Sequence, residues 1–230
     1  MVSPHILLYA LLGGILPALL WLWFWLKEDN ARPEPRGLIL LAFIAGMLTV
    51  PLVLPFQKLA ATMLGATSVI IAWAAVEELF KYVVAYFAVL RKKDMDEPID
   101  AVIYMITVAL GFAALENTFF LLNPLSDGNI TGTILTGNLR FLGAMLLHVL
   151  SSATIGIAIA LSFSKNISVR RLFIGAGVIL SIVLHTLFNL FIINSNGEKA
   201  LIVFIFVWIG IILLILFFEK LKRMKINRMR

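Results

Sequence analysis

The sequence predicts an all-α protein that crosses a membrane about seven times. Hydrophobic residues make up 61% of the 230-residue chain and charged residues only 14%, with a mean hydropathy of +1.01, whereas soluble domains carry about 25% charged residues. The apolar residues are also grouped into runs of about 20, the length a helix needs to cross a hydrocarbon layer about 30 Å thick. These runs fall at 5–26, 37–56, 65–90, 99–122, 138–164, 171–193 and 199–218. They leave no room for a soluble module, so the reading is one domain over 1–230, with a polar-residue-bearing core at about 27–193 and a basic tail at 219–230.

The first run has no basic residues ahead of it and no small-residue cleavage site behind it, so it reads as a retained span. Trp21, Trp23 and Trp25 near its end read as an aromatic belt. In the second run, Pro51 and Pro55 are expected to kink or end the helix. The third carries Glu77, Glu78 and Lys81, the fourth Glu116 and Asn117, the fifth His148, and the sixth His185 and Asn189. Asp100 and Arg140 lie at span ends and read as anchors.

Basic residues are unevenly divided among the connections. Lys27, Arg32, Arg36, Arg91, Lys92, Lys93, Lys165, Arg170, Arg171 and the tail residues Lys220, Lys222, Arg223, Lys225, Arg228 and Arg230 share one side, against Lys58, Arg140 and Lys199 on the other. The positive-inside rule then places the N-terminus outside and the C-terminus in the cytoplasm. The net charge of +6 is read as a topology determinant attracted to anionic lipid, not as a nucleic-acid surface. Absence of cysteine removes thiol nucleophiles and thiolate metal sites.

Only Glu77, Glu78, Lys81 and Glu116 among the charged residues fall inside spans, joined there by His148, His185, Asn117 and Asn189. A charge at bilayer depth costs a few kcal/mol or more, so such groups face a protein interior or a water-filled cavity and serve a function there. Counted at about 1.5 Å per residue from the outer end of each helix, the acids and imidazoles lie at about 9–20 Å. Four helices therefore bring acid or imidazole to one level.

Spacing refines the picture within each helix. Lys81 is three residues after Glu78 and four after Glu77, close enough to neutralise one of them. The pairs His185 and Asn189, and Phe112 and Glu116, each repeat the i to i+4 interval, and Ser151 and Ser152 stand one turn from His148. A carboxylate shielded from bulk water and beside an imidazole suits the activation of a water molecule. Amide and imidazole groups suit stabilisation of the oxyanion formed when water attacks a peptide carbonyl.

A serine triad fits less well, because there is no Gly-x-Ser-x-Gly elbow and the interior acids are all Glu. The His-Glu-x-x-His motif is absent too, so a zinc site would have to be assembled from separate helices, with Glu77, Glu116, His148 and His185 as the available ligands. A metal-free carboxylate–imidazole site is the expectation. Intramembrane acids and imidazoles also build proton relays, so a small proton-coupled transporter and a catalytically inactive binding or immunity factor are the alternatives.

The series Glu77-Glu78-x-x-Lys81, Phe112-x-x-x-Glu116-Asn117, His148 and His185-x-x-x-Asn189, preceded by Arg32-Pro33-Glu34-Pro35 and Asp96-Glu97-Pro98-Ile99-Asp100, resembles the PrsW family of bacterial intramembrane proteases. That family is grouped with the type II CAAX prenyl endopeptidases. Only the end of the family's Asp-Pro-x-Glu-Pro-Glu-Pro loop is kept here.

The resemblance implies a multi-pass protein of the bacterial cell membrane that hydrolyses membrane-anchored proteins or peptides, with site-1 cleavage of an anti-sigma factor among the family's activities. It implies Glu77 as the base that activates water, Glu78 and Lys81 as its support, and Glu116 or His148 as assistants. His185 and Asn189 would form the oxyanion hole, with Phe112 and Asn117 supporting.

Overall fold

The computed structural model describes residues 3–28, 32–194 and 200–222. It is a bundle of helices with no strand among the described residues: α1 (Pro4–Glu28), α2 (Arg36–Met63), α3 (Ala66–Ala85), α4 (Pro98–Ser126), α5 (Ile130–Leu139), α6 (Met145–Leu161), α7 (Ile167–Asn194) and α8 (Ala200–Lys222). Short π-helical turns, Tyr86–Leu90 and Arg140–Ala144, prolong α3 and join α5 to α6. With α5 and α6 forming one continuous rod, six rods are long and apolar enough to cross a membrane. The seventh is α3, which carries the three interior charges.

The bundle is organised around α4, which is buried from Pro98 to Ala114 and packed by α1, α2 and α6. Its own sequence, with Ala101, Ala109, Gly111, Ala113 and Ala114 among aliphatic residues, permits this, because small residues let helix backbones approach in an apolar medium. The closest approach is reciprocal. A Cβ added at Gly46 of α2 would overlap the Val108 carbonyl, and one added at Gly111 of α4 would overlap the Phe43 carbonyl.

The start of α4 is fixed by polar contacts. Asp100 Oδ2 accepts from the backbone N–H groups of Asp96 (2.9 Å) and Glu97 (2.6 Å), closing the N-terminus as a capping residue does. Asp100 is therefore a buried cap and not a surface anchor. Arg32 pairs with Glu97 at 2.6 Å and the Tyr104 hydroxyl donates to Glu34, so the α1–α2 connection is tied to the same end.

Three further expectations need correction. Neither Pro51 nor Pro55 ends α2, which runs on to Met63; helical neighbours can re-satisfy the backbone groups that proline frees. Trp25 is core, packed against Phe218, and of the three tryptophans only Trp23 is largely exposed. Arg140, placed at a span end by sequence, sits well inside the α5–α6 rod. Lys199, Arg223, Lys225, Arg228 and Arg230 lie outside the described residues, whereas Lys222 pairs with Glu28 (3.3 Å) and joins the ends of α8 and α1.

Candidate active site

Glu77 and Glu78 are neighbours on α3 with different surroundings. Glu78 is fully buried. Its Oε1 accepts from Lys81 Nζ (2.7 Å) and His185 Nδ1 (2.8 Å), with Ser151 Oγ 3.2 Å away and nearer the Leu147 carbonyl (2.9 Å), and its Oε2 accepts from Ser152 and Ser181 Oγ, each at 3.0 Å. Those donors saturate the roughly four lone-pair sites of a carboxylate, so Glu78 is a fixed internal anion with nothing left to offer a substrate.

Glu77 has much less. Gln57 Nε2 donates to its Oε1 at 2.9 Å, and Trp73 Nε1 holds Gln57 through the backbone carbonyl at 2.9 Å. Glu77 Oε2 is buried and has no hydrogen-bond partner among the described residues. Lys81 Nζ and His185 Nε2 each lie 3.8 Å from it, so Lys81 neutralises Glu78 and leaves Glu77 without a dedicated cation. Because a carboxylate only accepts, His185 donates through Nδ1 to Glu78, and in the neutral ring Nε2 then presents a lone pair to Glu77 Oε2.

His148 on α6 is held from both sides. Lys81 Nζ donates to Nδ1 at 2.9 Å, and Nε2 faces Glu116 Oε2 at 3.1 Å. Its ring meets that of His185 edge to face, with centroids 5.0 Å apart, and lies 5.2 Å from that of Phe112. The Lys81 ammonium sits 4.3 Å above the Phe112 ring, which makes Phe112 a wall of the charge cluster. Glu116 also pairs with Arg140, whose Nε donates to Asn117 and whose guanidinium stacks 3.7 Å over Phe120.

These groups surround a cavity of about 530 Å³ lined by Glu77, Glu116, His148, His185 and Asn189. Asn189 makes no side-chain hydrogen bond with another described residue, so its carboxamide is available to a bound group. Of the candidate site residues read from sequence, Glu78, Lys81 and Asn117, with Ser151 and Ser152 on Glu78, form the supporting layer, and Glu77, Phe112, Glu116, His148, His185 and Asn189 line the cavity.

Three contributors escape a reading of the sequence. Gln57 lies one residue past the apolar run at 37–56, Arg140 carries a charge two residues inside the run at 138–164, and Ser181 precedes His185 by one turn. The Ser181-x-x-x-His185-x-x-x-Asn189 spacing is the signal that could have found Ser181.

A membrane-spanning helical bundle that brings a buried, unpartnered Glu77 oxygen and two histidines to one cavity, among the described residues, fits an intramembrane hydrolase. The profile described as the PrsW family intramembrane metalloprotease matches residues 34–216, and the chain belongs to that family. It is thus a multi-pass membrane protease, a peptide hydrolase.

Among relatives, the chain is 27% identical to Protease PrsW of Geobacillus kaustophilus over 93% of its own length and 89% of that protein's. It is 27% identical to Protease PrsW of Oceanobacillus iheyensis over 96% and 98%, and 30% identical to that of Clostridioides difficile over 56% and 53%. No solved structure matches the chain.

The family description implies a metal, against the metal-free expectation drawn from sequence. One ligand atom each from Glu77, His148 and His185 lie within 4.8 Å of one another, and atoms sharing one zinc at about 2.1 Å are at most about 4.2 Å apart. Two of the three are ready. Glu77 Oε2 is buried without a partner, and the Glu78 carboxylate on His185 Nδ1 is the outer-shell contact that fixes a metal-binding histidine. The donor set fits a zinc-class ion once His148 is released from its present contacts.

Proposed function

We propose that the reaction centre of this protease is the pair Glu77 Oε2 and His185 Nε2, and that its substrate is a membrane-anchored protein or peptide. The observation that carries the proposal is that Glu77 Oε2 is buried with no hydrogen-bond partner among the described residues and lies 3.8 Å, at a cavity wall, from His185 Nε2, which carries a lone pair when the neutral ring donates through Nδ1 to Glu78. Two facing lone pairs call for a shared hydrogen donor or cation.

Water placed there donates to Glu77, which takes a proton as the water oxygen bonds to the scissile carbonyl carbon and the carbonyl electron pair moves to oxygen. The Asn189 carboxamide at the cavity wall supplies a donor for that oxyanion. When the carbon–nitrogen bond breaks, the proton held at Glu77 passes to the departing amine. Glu78 and its serine donors keep the His185 ring oriented, and Arg140 holds Glu116 beside His148.

Glu77, His148 and His185 would also hold a zinc-class ion, which supplies Lewis acidity and a more acidic bound water. Site-1 cleavage of an anti-sigma factor is the substrate reading that the family resemblance supports.

The test is cleavage of single-span substrates by purified protein in proteoliposomes, comparing wild type with Glu77→Gln, Glu116→Gln and His185→Ala, and with chelator before and after added zinc. Activity lost in Glu77→Gln and His185→Ala supports the reading, and chelator loss restored by zinc supports the ion. Failure of wild type on every substrate in the panel favours an inactive binding factor or a proton-coupled carrier.

A further inference from the structure

Lys81, which supports Glu78, also touches the residues that would hold an ion. Its ammonium lies 2.9 Å from His148 Nδ1, 2.7 Å from Glu78 Oε1 and 3.8 Å from Glu77 Oε2. It therefore contacts one candidate metal ligand directly and approaches a second. An ammonium only donates, so His148 must spend its Nδ1 lone pair on Lys81 and carry its hydrogen on Nε2, toward Glu116. In that arrangement the imidazole has no lone pair for an ion.

Exchanging the tautomer does not solve the problem, because it would set an Nδ1–H donor against the ammonium donors. An ion can gain His148 only if Lys81 gives it up. The retreat is open to Lys81, since Glu78 stands on its own helix one turn away and already accepts from it.

We propose that Lys81 is a tethered cation that competes with a metal ion for His148 and Glu77, and so sets how tightly the site holds metal. This rests on the reading of Glu77, His148 and His185 as an ion-binding set. In the ion-free protein Lys81 keeps His148 in place and offsets the negative charge of the neighbourhood it shares with Glu77. On ion binding it withdraws to Glu78. Affinity is lowered by this displacement, and the site resists casual filling by abundant cations.

The experiment titrates zinc, against a competing chelator of known affinity, into metal-free protein purified in detergent. Lys81→Met keeps the length of the side chain and removes its charge. Glu78 then retains Ser151, Ser152, Ser181 and His185 as donors, which favours folding, and monodisperse elution with wild-type helicity checks it. Lys81→Met paired with Glu78→Gln, compared with Glu78→Gln alone, repeats the comparison without the buried ion pair.

The expected result is zinc affinity at least tenfold higher without Lys81, with most of the gain abolished in a His148→Ala background. Equal or weaker affinity in the variants, with wild type binding zinc, overturns the role of Lys81 and leaves the ion site standing. A gain of the same size without His148 overturns the competition for that residue. Absence of zinc binding in wild type and variants alike overturns both the ion site and the competition.

Discussion

Glu77 Oε2 and His185 Nε2 face each other across 3.8 Å, and Glu77 Oε2 has no hydrogen-bond partner among the described residues. Each is aimed by its other end: Gln57 holds Glu77 Oε1, and Glu78 holds His185 Nδ1. The supports come from α2 and α3, so the geometry of the pair is a property of the helix packing.

Gln57→Leu removes the hold on Glu77 while keeping the volume of the side chain. The expected outcome is a fall in kcat of about 10- to 100-fold with little change in KM, since misplacement near the chemistry costs roughly that much. Steady-state cleavage in proteoliposomes measures the split, and an unchanged kcat would remove Gln57 from the account.

Glu78→Gln leaves the Lys81 ammonium buried without its carboxylate. Removing one partner of a buried pair costs about 3–5 kcal/mol, so the variant should show a markedly lower Tm in detergent than Glu77→Gln. Adding Lys81→Met to Glu78→Gln should recover most of that loss. The adjacent glutamates are thus expected to separate, one failing in stability and the other in catalysis.

Arg140 engages Glu116, Asn117 and the face of Phe120 at once. A lysine keeps the charge but not the planar fork. Arg140→Lys is therefore expected to lose most of the kcat that Arg140→Gln loses, and full activity in Arg140→Lys would reduce Arg140 to a point charge.

Gly111→Val sets a branched side chain against the Phe43 carbonyl of α2. Overpacking of this kind costs about 1–3 kcal/mol, and thermal unfolding should place the variant at the upper end. Gly175→Ala in α7, where no atom lies near the added Cβ, should instead be neutral or stabilise by up to about 1 kcal/mol.

Much of this arrangement is legible in the amino-acid order. Interior charge in apolar helices is rare enough that Glu77, Glu78, Glu116, His148 and His185 identify themselves, and counting along each helix brings them to one level. The division of labour within Glu77-Glu78 is not legible there, because it depends on Ser151, Ser152 and Ser181 arriving from α6 and α7. Serines are too common in spans for their partners to be read from spacing.

Gln57 is hidden by the two prolines before it, which suggest a helix end where the helix in fact continues. Arg140 is hidden by its nearness to a span boundary, which makes anchoring the simpler reading. The fold is easier to read than the site because apolar length alone specifies a spanning helix, whereas side-chain partnership across helices requires the rotation of each helix about its axis.

The most direct measurement is cleavage of a single-span substrate in proteoliposomes by Glu77→Gln beside wild type at equal, verified protein load. Removing a general base costs about 10²- to 10⁴-fold, and the predicted result is a loss of that size with unfolding behaviour close to wild type. Cleavage by Glu77→Gln at the wild-type rate would contradict the assignment of Glu77 as the group that receives the water proton.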